Sequence, residues 1–307
     1  MGTGEIGIPT LTALLNSEKY EVVTVVTQPD RPAGRNLAVR PSLLKTLALE
    51  RSIPVFQPEK LRKDLESVLK LEPDLIIVMA YGQILPAAIL QLPRVACLNL
   101  HASLLPRHRG ASPIHAALLS GDSETGITVM YMDEGLDSGD ILLKEQLSIA
   151  GRETGGELHD RLAQIAPQAL MRALELLEQG QVPRLPQDPT LVTYAPKLTK
   201  KDALLDWHES ASALDRRIRA MHPWPGAFCW WEKSVSAQRL RILEALPREN
   251  ESQGTPGEIL SVSEHGIDVQ TSDGSLLLRK VQLEGRKRMS AAEFARGHSV
   301  CKGTLLG

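Results

Sequence analysis

An amide and an imidazole lie two residues apart where an apolar segment ends. The segment Val95–Leu100 has the composition of a buried parallel strand, and Asn99 and His101 fall at its end. Alternate residues of a strand point to the same face, so both side chains can donate hydrogen bonds to one carbonyl oxygen. Acyl transfer needs such donors, because negative charge builds on that oxygen in the tetrahedral intermediate.

A carboxylate follows in a loop bracketed by glycines, after a further apolar segment. Asp137 lies there between Gly135 and Gly139. Close to an imidazole, a carboxylate favours the charged ring and can help to accept a proton from an attacking amine. The spacing alone also fits a structural role, because a histidine that ends a strand is often structural and aspartate is common in turns.

Short apolar segments alternate with helical patterns through the first part of the chain. The predicted strands are Glu21–Thr27, Asp74–Ala80, Val95–Leu100 and Gly126–Met132. The predicted helices are Ile8–Leu15, Ser42–Arg51, Lys60–Lys70, Pro113–Ser120 and Glu157–Glu178, the last closed by Gly180. This alternation predicts an α/β fold with a doubly wound, mostly parallel sheet. Ligands of such sheets bind beyond the C-terminal ends of the strands, where Asn99 and His101 are expected.

The pattern changes toward the C-terminus. Residues 181–201 are rich in proline and polar residues, which predicts an extended linker. A helix is predicted at Ser210–Ala220, and short strands at Arg239–Ala245, Gly257–Val262, Gly266–Thr271 and Ser275–Leu283. This pattern fits a small β-barrel of the oligonucleotide-binding kind. We therefore predict an α/β domain over residues 1–180, the linker, and a β-barrel domain over residues 202–307.

The composition is that of a globular protein with balanced charge. The chain has 307 residues and a formal net charge of −2. This charge argues against a protein that coats nucleic acid, but not against a local basic patch. Three widely separated cysteines do not suggest a disulfide framework or a cysteine zinc site. Because no apolar segment reaches membrane-spanning length, we expect a cytoplasmic protein.

The segment from Asn99 to Ile141 resembles the folate-dependent formyltransferases. The features shared with that family are Asn99, His101, Ser103-Leu104-Leu105-Pro106, Arg109-Gly110 and Leu136-Asp137-Ser138-Gly139. The resemblance implies that residues 1–180 form the catalytic domain, with Asn99, His101 and Asp137 as its catalytic residues. Asn99 and His101 would polarise the formyl oxygen. Asp137 would set the protonation state of His101 and relay the proton.

The same resemblance implies a folate donor and no metal. 10-Formyltetrahydrofolate would be the co-substrate. The residues expected to line its cleft are Ser103, Leu104, Leu105, Pro106, Met79, Tyr81 and Gly82. His101, His108 and His115 recur at a constant spacing, but the predicted elements place them on a strand end, in a loop and on a helix. We therefore expect no metal site from these histidines.

Members of this family formylate different amines, and other segments of the chain bear on the choice. The acceptor is glycinamide ribonucleotide, an aminated sugar nucleotide or methionyl-tRNA. The segments Thr27–Arg35, His222–Ala227 and Gln282–Ser290 resemble the members that act on methionyl-tRNA. This implies initiator methionyl-tRNA as the partner, bound with the help of residues 202–307, and we expect a monomer. The residues expected to contact the tRNA are Arg31, Arg35, Arg40, Arg286, Lys287 and Arg288.

Two features depart from those relatives. Arg35 is followed by four uncharged residues before Arg40, so this loop is expected to make fewer phosphate contacts. The relatives also begin with a short apolar strand that precedes a segment like Met1–Thr3, and such a strand would be central in the sheet. We therefore expect the true start of the protein to lie upstream of Met1.

Three other interpretations remain open at this point. Gly2, Gly4 and Gly7 fit the glycine pattern of a dinucleotide-binding turn, with Asp30 at the distance of a ribose-binding carboxylate, which would suggest an NAD(P)-dependent oxidoreductase. A formyltransferase that acts on an aminated sugar nucleotide is the second. A non-catalytic tRNA-binding protein, built on the β-barrel and its basic run at residues 286–288, is the third.

Overall fold

The computed structural model describes residues 1–33, 38–233, 236–249 and 254–307. The helices are α1 (Ile8–Leu15), α2 (Leu43–Glu50), α3 (Leu65–Leu69), α4 (Ala87–Leu90), α5 (Pro113–Ser120), α6 (Gly155–Glu178), α7 (Ala211–Ala220) and α8 (Ala291–His298). Among the described residues, no helix combines the length and the apolarity needed to cross a membrane.

The strands are numbered in chain order. They are β1 (Val25–Val26), β2 (Arg31–Ala33), β3 (Ala38–Arg40), β4 (Val55–Phe56), β5 (Leu75–Val78), β6 (Ala96–His101), β7 (Arg109–Gly110), β8 (Glu124–Tyr131), β9 (Ile141–Ser148), β10 (Tyr194–Ala195), β11 (Phe228–Lys233), β12 (Ser236–Arg248), β13 (Ile259–Ser263), β14 (Gly266–Gln270), β15 (Ser275–Leu283) and β16 (Met289–Ser290). The contacts within the chain divide it into two compact units. Unit 1 comprises Met1–Pro113, Ser123–Ile149 and His159–Pro196, and unit 2 comprises Ile114–Asp122, Ala150–Leu158 and Lys197–Gly307.

Unit 1 is built on a mixed sheet. Its strand order is β5-β6-β8-β9. Strands β5 and β6 are parallel, whereas β8 runs antiparallel to both of its neighbours. The predicted α/β fold is confirmed, and the sheet adds an antiparallel side. Apolar composition could not distinguish this side from a parallel one, because both kinds of buried strand have similar sequences.

The first residues of the chain connect two strands of unit 1. The amide of Gly2 donates to the carbonyl of Val26 (2.9 Å), and the amide of Met79 donates to the carbonyl of Met1 (3.0 Å). Beside this connection, β1 and β5 line a mainly apolar cavity of about 580 Å³. In the described residues the only strand that pairs with β1 is β4, in a parallel ladder of two residues. On the side toward β5, Gly2 bonds to β1, and Met1 bonds to Ile77 and Met79.

Several predicted elements are shorter in the structure. The strand predicted at Glu21–Thr27 is paired only at β1, because its partner β4 has only two residues in register. The helix predicted at Lys60–Lys70 is reduced to α3, and Asp64, the N-cap residue that precedes it, makes no side-chain capping hydrogen bond. Helices α1 and α5 have the predicted bounds, and Gly180 has the positive φ of 69° that a glycine helix end requires.

Unit 2 contains the predicted strand-rich domain. Its sheet has the order β11-β12-β15-β14-β13, with β16 added beside β15. The turn between β14 and β15 contains Gly274 at a φ of 76°, and it joins these two antiparallel strands, both of which were predicted, into a hairpin. The end of the chain bonds to both outer strands: Gly307 exchanges two backbone hydrogen bonds with Trp230, and Thr304 accepts one from Ile259. Hydrogen bonds therefore continue from one edge of the sheet to the other through this segment.

Candidate active site

Asn99 and His101 lie on one face of β6, where this strand reaches the end of β5. Val78, the last residue of β5, is in register with Asn99. Asn99 and His101 retain 9% and 6% of their accessible surface, while Leu98 and Leu100 point to the opposite face and are buried in the core. The structure thus confirms that the amide and the imidazole share a face at the end of a strand.

The loop between β8 and β9 brings Asp137 to this pair. One carboxylate oxygen, Oδ1, lies 3.7 Å from Nδ1 of His101 and accepts a long hydrogen bond of 3.4 Å from the amide of Asn99. The other oxygen accepts a 2.7 Å hydrogen bond from the backbone amide of Gly110. Three side chains that are far apart in sequence therefore meet, and the carboxylate is fixed by a backbone donor.

His101 uses one ring nitrogen to hold the loop that follows it. Its Nε2 lies 2.9 Å from the carbonyl oxygen of His108. Because a carbonyl can only accept, Nε2 carries a proton and donates it to this hydrogen bond. Nδ1 is therefore the nitrogen that faces Asp137 and remains available for a substrate. When Nδ1 is also protonated, the ring is an imidazolium beside a carboxylate and can donate to a developing oxyanion.

A side chain that the sequence analysis did not select completes this network. The amide nitrogen of Gln187 donates to the carbonyls of Asp137 (2.9 Å) and Gly139 (2.8 Å). Its amide oxygen accepts from Nε and Nη2 of Arg109, at 3.0 and 2.8 Å. No motif marked this glutamine, because it lies in a proline-rich segment whose spacing predicted only a linker.

The four residues predicted to form one wall of the folate cleft differ in exposure. Ser103 and Leu105 have no exposed surface, whereas Leu104 and Pro106 are partly exposed. Leu105 packs on Met130 and Ile141 in a small cluster, so its side chain belongs to the core. The Ser103 hydroxyl donates to the carbonyl of Arg107, at 2.6 Å. These two positions can thus face a ligand only through backbone atoms.

The segment predicted to form the other wall follows β5 directly. Met79 and Tyr81 are buried, while Ala80 and Gly82 are exposed and have φ values of 49° and 78°. A side chain at Gly82 would start 2.5 Å from the side-chain amide nitrogen of Gln28, which would have to move; the positive φ is what favours glycine at this position. Burial raises the pKa of Tyr81 to about 12, which leaves it a neutral phenol.

The dinucleotide-binding interpretation is wrong, because the groups that it needs are occupied. The amides of Thr3 and Gly4 donate to the carbonyl of Ala80, at 3.1 and 3.3 Å, so the glycine-rich turn packs on the protein. Asp30 accepts from Lys45 (2.6 Å) and from Gln57 (2.8 Å). The hydrogen bond from the Lys45 ammonium, followed by that from Gln57, lowers the pKa of Asp30. Asp30 serves this ion pair and not a ribose.

Two of the predicted RNA-contact residues are neighbours in a hairpin. Arg31 in β2 is directly opposite Arg40 in β3, and both side chains are exposed. Like charges in opposite positions on a hairpin repel one another. The hairpin therefore presents two adjacent cations, which suit an anionic ligand. Arg35, the third residue predicted here, lies outside the described residues.

A second group of cations lies in unit 2. Arg286, Lys287 and Arg288 are exposed at the turn that leads to β16. Burial and then the charges of Arg288 and Arg239 lower the pKa of Arg241, which indicates that these three arginines are close together. Arg239 also stacks on Phe228, at 4.4 Å from the ring centroid. Arg239 and Arg241 were not predicted from the sequence, because they alternate along a strand and form no basic run.

The described residues contain no group of three or more histidine, cysteine, aspartate or glutamate side chains that could hold a metal ion. The three evenly spaced histidines are divided among β6, the loop after it and α5. His108, in that loop, is buried with 4% exposure and a φ of 60°. Its carbonyl orients His101, so its role in the site is structural.

Comparison with known proteins gives matches along almost the whole chain. A family model described as "Formyl transferase" matches residues 1–174, and one described as "Formyl transferase, C-terminal domain" matches residues 197–299. A protein of Methylacidiphilum infernorum named methionyl-tRNA formyltransferase is 44% identical, over 100% of this chain and 97% of its own length. A protein of the same name from Syntrophus aciditrophicus is also 44% identical, with the same coverage.

Solved structures share the fold at lower identity. An N-formyltransferase from Helicobacter canadensis, in complex with folinic acid and dTDP-3-aminofucose, is 17% identical with a TM-score of 0.68, over 90% of this chain and 96% of its own. WlaRD, a sugar 3N-formyl transferase, is 18% identical with a TM-score of 0.66, over 93% and 97% of the two chains. HypX from Aquifex aeolicus, in complex with tetrahydrofolic acid, is 20% identical with a TM-score of 0.57, over 89% and 46%.

Proposed function

Because the chain belongs to the formyl transferase family, we propose that it transfers the formyl group of 10-formyltetrahydrofolate to the α-amine of methionyl initiator tRNA. The product is N-formylmethionyl-tRNA for translation initiation. The observation that carries this proposal is identity of 44% over the whole chain to relatives named for this reaction. The N-formyltransferase in complex with dTDP-3-aminofucose and the sugar 3N-formyl transferase match at 17% and 18%, which shows a shared fold and says nothing about the acceptor.

The catalytic roles follow from the contacts of the three central side chains. The methionyl amine, as a free base, attacks the formyl carbon, and negative charge develops on the formyl oxygen. The amide of Asn99 and a protonated Nδ1 of His101 donate to this oxygen. Asp137, 3.7 Å from Nδ1, stabilises the charged ring. It also accepts and relays the proton that the attacking amine must lose.

The loops around this trio fit a folate. Loss of the formyl group to the amine leaves tetrahydrofolate, and the residues proposed to hold the donor are Ser103, Leu104, Leu105, Pro106, Met79, Tyr81 and Gly82. Ile84, after β5, is 74% exposed, and Leu136, beside Asp137, is 59% exposed. We propose that these two exposed apolar side chains, in the loops that follow β5 and β8, provide contact surface for a flat ring, while backbone groups supply its polar contacts.

The cations of both units are proposed to bind the phosphates of the tRNA. In unit 1 these are Arg31, Arg35 and Arg40. In unit 2 they are Arg286, Lys287 and Arg288, joined by Arg239 and Arg241. The repulsion between Arg31 and Arg40, and that within the arginine group around Arg241, is relieved when phosphates approach. We place the catalytic domain at residues 1–180 and the tRNA-binding domain at residues 202–307, in a monomer that acts in the cytoplasm.

Transfer of a labelled formyl group tests the proposal. The purified chain is given 10-formyltetrahydrofolate and either methionyl initiator tRNA, methionyl elongator tRNA or a dTDP-linked amino sugar. We expect label on the initiator tRNA, and none on the sugar nucleotide. Label on the sugar alone would overturn the proposed acceptor. Label on none of the three acceptors, from protein that is folded by circular dichroism, would overturn the proposed reaction.

A further inference from the structure

The segment that follows α6 is attached to two different loops of the active site. On one side, Leu185 exchanges backbone hydrogen bonds of 2.9 and 3.0 Å with Ile141, just after the loop that carries Asp137. On the other side, β10 pairs in parallel with β7, and the carbonyl of Thr193 accepts from the amide of Arg109 at 2.9 Å. The segment therefore crosses from one catalytic loop to the other, all within unit 1.

Gln187 stands between these two attachments and links the loops through its side chain. It donates to the carbonyls of Asp137 and Gly139, and accepts from Arg109. A primary amide suits this position, because one planar group provides both donors for the carbonyls and an acceptor for the guanidinium. The residues on either side of Gln187 are exposed, whereas Gln187 itself is partly buried.

The backbone of Asp137 needs such support. Its φ of 49° is in the left-handed region, which aspartate tolerates better than most residues but still enters only at an energetic cost. The backbone amide of Gly110 fixes one carboxylate oxygen, at 2.7 Å. Arg109, the neighbour of Gly110, is held by Gln187. The backbone of the Asp137 loop and the position of the Gly110 amide thus both depend on Gln187.

We infer that Gln187 is a positioning residue that holds the carboxylate of Asp137 against His101 and Asn99; this inference rests on the proposed function. In the proposed mechanism Gln187 does not contact the reacting atoms. It acts through the carbonyls of the Asp137 loop and through Arg109. Its loss therefore changes the turnover rate more than the binding of either substrate.

Three substitutions test the inference. Gln187→Ala removes all four hydrogen bonds, and Gln187→Glu keeps the size and the acceptor for Arg109 but loses the two donors. Asp188→Ala is the control, because Asp188 bonds within its own turn, to Thr190. We expect both Gln187 variants to lower kcat about 10- to 100-fold, as a misplaced catalytic group does, with KM for either substrate little changed. Asp188→Ala should retain the wild-type kcat.

Two further readouts separate positioning from a general structural role. In an Asp137→Ala background, Gln187→Ala should lower kcat no further, because its effect passes through the missing carboxylate. Without any substrate, amide hydrogen exchange in residues 133–141 should be faster in Gln187→Ala than in the wild type, with the melting temperature little changed. Losses that multiply in the double variant, or a wild-type kcat in both Gln187 variants, would overturn the inference.

The exchange measurement also keeps the two proposals distinguishable. If the wild type does not formylate methionyl-tRNA but the Asp137 loop exchanges faster in Gln187→Ala, the proposed function fails and the positioning contact stands. If the wild type is active and neither kcat nor loop exchange responds to Gln187→Ala, the inference fails and the proposed function stands.

Discussion

At the scale of single residues, the two nitrogens of His101 have separate tasks. Nε2 donates to the carbonyl of His108 at 2.9 Å and fixes the plane of the ring. Nδ1 is then directed toward Asp137 at 3.7 Å, too far for a strong hydrogen bond but close enough for charge stabilisation. In the proposed mechanism, this division of tasks lets the ring turn a donor toward the substrate without losing its orientation.

We therefore predict large losses of turnover when either oxyanion donor is removed. His101→Ala and Asn99→Ala should each lower kcat about 100-fold or more, the usual effect of losing one such donor, with the affinity for tRNA little changed. Single-turnover formylation and filter binding measure the two quantities separately. His159→Ala is a suitable control, since His159 contacts only its neighbour Asp160 among the hydrogen bonds described. A fall in tRNA affinity without a fall in kcat would contradict the assignment.

Leu105 and Leu136 should respond to truncation in opposite ways. Leu105 is completely buried against Met130 and Ile141, so Leu105→Ala should lower the free energy of unfolding by about 2–5 kcal/mol. Leu136 is 59% exposed, so Leu136→Ala should leave that free energy nearly unchanged and raise KM for the folate. Urea unfolding and folate-dependent kinetics give the two values. A stable Leu105→Ala variant with a raised KM for the folate would show that the Leu105 side chain, and not only its backbone, lines the cleft.

At the scale of elements, the sequence predicted helices and turns better than strand partners. Helix α5 has the predicted bounds, because its periodicity is local. Strand β9 was not predicted, although residues 143–148 alternate between half-buried and exposed positions. Strand β11 was not predicted either. The direction of β8 could not be predicted, since it depends on which distant strand it meets.

The residues of the candidate site were likewise predictable only where their relation to one another is local in the sequence. The pairing of Asn99 with His101 follows from the alternation of one strand and was predictable. The approach of Asp137 was expected only from the family resemblance, because its loop must fold back along the sheet. Gln187 was not predictable, since its role depends on a segment that crosses two loops. Leu105 was assigned to the cleft, whereas its side chain packs in the core.

The hairpin of β2 and β3 gives a prediction at this scale. Arg31 and Arg40 are opposite one another, so each raises the electrostatic free energy of the unbound hairpin and lowers that of the complex. Arg40→Gln should weaken tRNA binding without lowering kcat at saturating tRNA. Arg62→Gln is the control, an exposed arginine elsewhere in unit 1. An unchanged tRNA affinity in Arg40→Gln would remove the hairpin from the interface.

At the scale of the whole molecule, the tryptophans make unit 2 separately observable. All four, at positions 207, 224, 230 and 231, lie in that unit. Burial, and then the charges of Arg288 and Arg241, lower the pKa of His222 below its usual 6.5, with Glu157 opposing them. Tryptophan fluorescence during unfolding therefore follows the unit in which His222 titrates.

The stability of unit 2 should consequently fall at acidic pH. Between the lowered pKa and 6.5, the unfolded chain binds more protons at His222 than the folded chain does. Stability therefore rises with pH in this window and is lost as the pH falls through it. Urea unfolding followed by tryptophan fluorescence should show this slope in the wild type and a flatter one in His222→Gln. Equal slopes in both proteins would exclude His222 as its source.

Contact of the tRNA with both units should appear in the salt dependence of binding. The chain has a net charge of −2, so attraction must come from local cations and not from total charge. Arg31→Gln in unit 1 and Arg288→Gln in unit 2 should each lower the slope of log affinity against log salt by about 1. The double variant should lower it by about 2, because the counterions released at separate phosphates add.

Fluorescence anisotropy with labelled initiator tRNA measures these slopes, with Arg62→Gln as the control. If Arg288→Gln has the wild-type slope while Arg31→Gln does not, the RNA is bound by unit 1 alone, and the basic turn of unit 2 is only a solvated surface.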